Sequence, residues 1–175
     1  MNNNQLNTKE ITTIGVGIAA LIAGGAVIYQ MSTVFPIPGF KYMMMAPYLS
    51  MVIYILLVKI GRRSALLYIG TVFALVMVVM NMFMSLSIII TTLLSHVTSS
   101  LVTDPYKRAF VSAIFFSGYT GSVALLVSKY LIGGVFMEMS ILWIISVGIM
   151  CLAFASFGVV LARKMMVQLS MYNYN

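Results

Sequence analysis

Positions 64–103 hold no Asp, Glu, Lys or Arg. A helix crossing the hydrocarbon core of a bilayer needs roughly 20 residues. This run is twice as long as one such helix and suits a hairpin of two. The sequence NMFMSLS, positions 81–87, is the natural place for the break, giving expected spans over 64–83 and 85–103. Backbone donors and acceptors cannot go unpaired in lipid, so a spanning chain is either helical or a closed barrel. Barrel strands alternate polar and apolar residues, and this run does not.

The rest of the chain follows the same pattern. Of 175 residues, 62% are hydrophobic and 7% are charged, against about 25% charged in an ordinary soluble domain. The expectation is one all-α integral membrane domain: a six-transmembrane-helix bundle with spans at 11–30, 42–58, 64–83, 85–103, 109–128 and 139–162. The membrane domain covers 11–164, between a polar N-terminal tail (1–10) and a C-terminal tail (165–175). The N-terminus lacks a basic region and its apolar run exceeds the 7–15 residues of a signal-peptide core, so it is read as a retained first span. The net charge of +7 does not mark a nucleic-acid binder, because the basic residues form short clusters between apolar runs and no continuous stripe.

Those clusters set the expected orientation. With the N-terminus inside, Lys9, Lys59, Arg62, Arg63, Lys107, Arg108, Arg163 and Lys164 fall on the inner side, and only Lys41 and Lys129 on the outer. Both termini are therefore expected in the cytoplasm. The connector FPIPGFKYMMMAPY (35–48) then faces outward. Pro36 and Pro38 restrict its backbone, which suits either the rim of a binding site or an ordinary loop with interfacial aromatics and a snorkelling Lys41.

Several residues invite a functional reading. In span one, Gly15, Ala19 and Ala23 recur every four residues, with Ala20 and Gly24 in an adjacent row. Such ridges let another backbone approach closely, within the bundle or in a partner. In span four, Thr92, His96, Ser99 and Thr103 share a face, which should point into the bundle or a cavity. His96 is open to three readings: a structural hydrogen bond, a substrate contact, or catalysis. It has no Cys, Asp or Glu near it in sequence, which argues against a metal site. SGYTGS (117–122) sets Tyr119 between small residues. Glu138 is the one acid expected on the outer side, where it pairs with Lys41 or the two hold a polar solute. Asn81 and Trp143 are placed at similar depth. Cys151 is expected to be a packed thiol. Walker, His-Glu-x-x-His and Gly-x-Ser-x-Gly motifs are absent, as are the intramembrane carboxylates that ion-coupled transporters use. The chain is expected to be no enzyme and to carry no power source of its own.

Six short spans, the alanines of AALIA at Ala19 and Ala23, and a rigid outer first loop resemble the substrate-binding S component of an energy-coupling factor (ECF) transporter. The segment LLVKIGRRSALLYIGTVFALV (56–76) further resembles the MptD-like S components. The resemblance implies a multi-pass protein of the bacterial cell membrane that captures a small organic, vitamin-like nutrient at the outer face. It implies docking on a T component through Gly15, Ala19 and Ala23, and transport driven by two ATPase subunits. No cofactor is expected in the chain itself, since ATP is hydrolysed by those partners. The expected substrate contacts are Phe40, Lys41, Tyr48, Asn81, His96, Tyr119, Glu138 and Trp143. The rival readings are a membrane scaffold with no small-molecule site and an intramembrane enzyme centred on His96.

Overall fold

The computed structural model describes residues 6–35 and 37–172. Pro36, and with it the restraint expected of that residue, lies outside the described residues, as do positions 1–5 and 173–175. Among the described residues the chain is helical and contains no strand. Six α-helices form: α1 (Thr8–Ser32), α2 (Phe40–Ile60), α3 (Ala65–Val78), α4 (Met82–Ser100), α5 (Pro105–Val127) and α6 (Ile141–Tyr172). A π-helical turn (Ser128–Ile132) and a 3-10 turn (Gly134–Glu138) join α5 to α6. Five of the helices are long and apolar enough to cross a membrane, and α3 is the exception.

Local chemistry fixes the helix ends. The Asn7 N–H donates to the Glu10 carboxylate at 2.8 Å in a capping box that opens α1. Gly39 (φ 92°) and Gly61 (φ 66°) bracket α2 in the left-handed region, where a Cβ would be strained. The Gly61 N–H closes the last turn on the Leu57 carbonyl at 2.9 Å. Asp104 caps α5, its carboxylate accepting from the Tyr106 and Lys107 N–H groups at 2.9 and 3.0 Å. Pro105 follows at the first helical position, where its missing N–H costs nothing.

Two helix ends depart most from the expected spans. The third span was placed at 64–83, but α3 has 14 residues, about 21 Å of helix against a core of about 30 Å. The apolar pattern runs on through Val79, Met80, Met82 and Phe83 after the backbone has turned. The sixth helix does not stop near 162: α6 has 32 residues and continues to Tyr172, because no Gly or Pro interrupts 159–172.

Small residues let the helices meet. Helices α1 and α2 run antiparallel. The Leu56 side chain fills the space at Gly17, the Tyr48 ring lies on Gly24, and Met45 reaches Gly25. The Tyr48 hydroxyl donates to the Ala20 carbonyl. Helices α2 and α6 run parallel and cross where Gly158 packs on the Pro47 carbonyl. There the Ser50 hydroxyl lies 2.8 Å from the Ala155 carbonyl and 3.0 Å from that of Pro47. Gly118 and Gly121 of α5 receive Leu152 and Cys151 of α6. Ile144, Val147, Cys151, Ala155, Val159 and Ala162 form the buried stripe of α6, while Leu142, Ile145, Ile149, Phe154, Phe157, Val160 and Leu161 are exposed. Cys151 is fully buried, as a packed thiol should be. The hairpin of α3 and α4 packs against α5 through α4, with Thr92 seated at Gly70.

The basic clusters gather at one end of the bundle. Glu10 in the first turn of α1 pairs with Arg62 after α2 (2.7 Å), and Arg163 of α6 lines a cavity with Lys107 of α5. This end is called the basic end below. The far end carries the start of α2, the turns after α5, and the start of α6.

Candidate functional site

Four of the eight expected substrate contacts, Phe40, Lys41, Glu138 and Trp143, lie near the starts of α2 and α6 at the far end. Lys41 is half-buried, its Nζ 5.5 Å from the Tyr29 ring centroid and 5.1 Å from that of Tyr42. Each cation–π contact contributes about 0.5–1 kcal/mol when exposed, and more when desolvated. Phe40 stacks at a tilt on Phe35, with centroids 4.9 Å apart. The Trp143 indole N–H donates to the Pro38 carbonyl at 3.0 Å, tying α6 to the connector before α2. The Lys129 ammonium donates to the Met139 carbonyl and closes the last connector on itself. Glu138 is exposed on the 3-10 turn and forms no ion pair with Lys41. The expected Lys41–Glu138 pair is therefore not made; two tyrosine rings take the place of the carboxylate.

The other four are spread through the bundle. Tyr48 is held in the α1–α2 seam by the Ala20 carbonyl and the notch at Gly24. The Asn81 side-chain oxygen accepts from the Phe83 and Met84 N–H groups at 2.9 and 3.2 Å and so caps α4. Tyr119 shares a hydrogen bond of 3.2 Å with Thr98. His96 is partly buried in the last two turns of α4, and its imidazole has no hydrogen-bond partner among the described residues.

Of the face expected to turn inward, Thr92 and Ser99 are buried and His96 partly so, but Thr103 lies beyond the end of α4 and is exposed; the buried polar stripe consists of Ser85, Ser87, Thr91, Thr92, Ser95 and Ser99. Four of these six hydroxyls are spent within the helix: Ser87, Thr92 and Ser95 donate to the carbonyls four residues back and Ser99 to that of His96. Such back-bonding lets a polar residue sit in an apolar interior. Thr91 and Ser117 are exceptions that spacing alone does not mark out, as both are buried with a hydroxyl that finds no partner among the described residues. Ser117 lies in the SGYTGS segment, but only the packed structure separates it from Ser112 or Ser122. Among the described residues, no three His, Cys, Asp or Glu side chains gather around a possible metal position.

Three cavities open at the basic end. One of about 240 Å³ is lined by Arg62, Arg63, Arg108 and Tyr106, among others. One of about 440 Å³ lies along Val160, Arg163 and Lys164. One of about 570 Å³ lies between Tyr54, Tyr106, Lys107 and Arg163. None of the eight expected contacts lines any of them. Beneath the far end, Ala46, Leu125, Ile144, Val147 and Cys151 form a compact apolar cluster, with Tyr42 and Met139 packed on it.

The row expected to dock a partner is open. Gly15, Ala19 and Ala23 are all exposed, and a Cβ added at Gly15 would meet nothing within 4 Å. Comparison with protein-family models, with curated proteins and with solved structures finds no match to this chain.

Proposed function

We propose that the chain is the substrate-binding S component of an ECF-type importer, a six-pass protein with both termini in the cytoplasm. It captures a small organic nutrient at the far end and delivers it through a T component and two ATPase subunits. The single observation that carries this reading is the division of labour on α1. Gly17, Gly24 and Gly25 are consumed by α2, while the parallel row Gly15, Ala19 and Ala23 stays open. A helix with two small-residue rows and one occupied face is suited to close contact with a second membrane helix. In this reading Phe40, Lys41 and Trp143 form the mouth. Solute entry parts the Trp143–Pro38 contact, and the half-buried Lys41 supplies the charge that orients a polar guest. The remaining span, α3, completes its crossing through the apolar turn 79–83.

The test is co-expression with candidate T and ATPase subunits. Ala19→Leu combined with Ala23→Leu is expected to abolish copurification of the partners while leaving solute binding intact. Unchanged copurification would end the docking assignment. A second reading, a membrane assembly subunit without a small-molecule site, is favoured by the filled cluster beneath the far end. Native mass spectra from broad nutrient screens that show no bound small molecule would support it.

A further inference from the structure

The strongest unassigned feature is the cavity of about 570 Å³ at the basic end. Tyr54 of α2 lines it and is only 6% exposed. Its hydroxyl has no hydrogen-bond partner among the described residues and is not sealed from solvent. Lys107, in the first turn of α5, and Arg163 of α6 flank the same space, and Tyr106 adds a second hydroxyl. Neither Lys107 nor Arg163 donates a side-chain hydrogen bond or forms a close ion pair among the described residues. No carboxylate lines the cavity; nearby Asp104 is committed to the cap of α5. Phe110 and Val111 supply an apolar wall. Arg163 also borders the neighbouring cavity along Val160, Lys164 and Val167, where α6 presents apolar side chains outward.

We propose that this cavity binds the phosphate headgroup of an anionic phospholipid. Lys107 and Arg163 neutralise the phosphate and the Tyr54 hydroxyl donates to it. The acyl chains lie along the exposed apolar face of α6 beside Val160. A lipid is favoured over a free anion because the cations and the apolar wall belong to one cavity, beside a surface built to face hydrocarbon. Basic pockets between membrane helices are suited to such headgroups, and an arginine presents its donors in a fork that matches phosphate geometry. The proposal is independent of the transport reading and holds for any membrane role of the bundle.

The experiment uses the full chain in micelles of a zwitterionic detergent, with native mass spectrometry after adding phosphatidylglycerol, phosphatidylcholine or inorganic phosphate. The wild type is expected to retain one phosphatidylglycerol several-fold more strongly than phosphatidylcholine. Lys107→Gln and Arg163→Gln should each weaken that retention about fivefold, in line with one basic residue at an anionic surface. Tyr54→Phe should weaken it to a smaller extent, and the preference should fall with added salt. Thermal unfolding of each variant shows whether the fold is kept, and Lys129→Gln at the far end, with retention unchanged, controls for bulk charge. Equal retention of the two lipids would overturn the proposal, as would a preference unaffected by Lys107→Gln and Arg163→Gln. Saturable binding of inorganic phosphate without lipid preference would overturn the lipid as the source.

Discussion

Asn81 caps α4 within a turn whose neighbours are strongly exposed and apolar: Val79 89%, Met80 70% and Met82 75%. Without the side-chain oxygen, both the Phe83 and the Met84 N–H lose their acceptor. Asn81→Ala should therefore destabilise the protein by about 1–2 kcal/mol, the upper range for a lost cap, whereas Asn81→Asp or Asn81→Ser should cost less; thermal unfolding in detergent measures the difference. Asp104 offers a contrast at the basic end. The Lys107 N–H holds its carboxyl below the ordinary aspartate range, helped by the Tyr106 N–H and the Lys107 charge and opposed by some desolvation. A carboxyl lowered on folding adds stability above its unfolded value and loses it as pH falls through the folded value. Unfolding midpoints should therefore drop on acidification below the ordinary aspartate range in the wild type, with a shallower drop in Asp104→Asn. An equal slope in the two proteins would show that the carboxylate contributes nothing.

At the scale of helices, two glycines separate internal packing from a free face. Gly158 abuts the Pro47 carbonyl, a backbone atom that cannot swing aside. Gly158→Val should cost about 1–3 kcal/mol or more, as overpacking does, and should loosen the α2–α6 crossing. Gly15→Val meets open space and should leave the melting temperature in detergent within a degree or two. The helices themselves were readable from charge-free runs, because lipid leaves the chain few alternatives to a helix. The end of α3 was not readable: Val79, Met80, Met82 and Phe83 prolong the apolar pattern, and Asn81 is the one polar residue in that turn. The roles of Tyr48 and Asn81 were hidden for a related reason. A seam tyrosine is recognised only when the facing Gly24 and the Ala20 carbonyl are in view, and a cap only when the turn is known. Lys41 lies at the far end with tyrosine partners from both α1 and α2, a pairing that spacing in sequence does not display.

For the whole molecule, the apolar exterior and the clustering of cations at one end describe a bundle made to sit in a bilayer. Cys151 is buried, so single introduced cysteines report topology with little background. Glu138→Cys should react with a membrane-impermeant maleimide in intact cells, and Thr103→Cys only after permeabilisation; the reverse pattern would invert the orientation. The most direct measurement of the central claim is native mass spectrometry of the protein purified with candidate T and ATPase subunits, beside the Ala19→Leu/Ala23→Leu variant. The account predicts a wild-type assembly with one T component and two ATPases, and a variant that runs alone with an unchanged melting temperature. A variant that still carries the full assembly would contradict it.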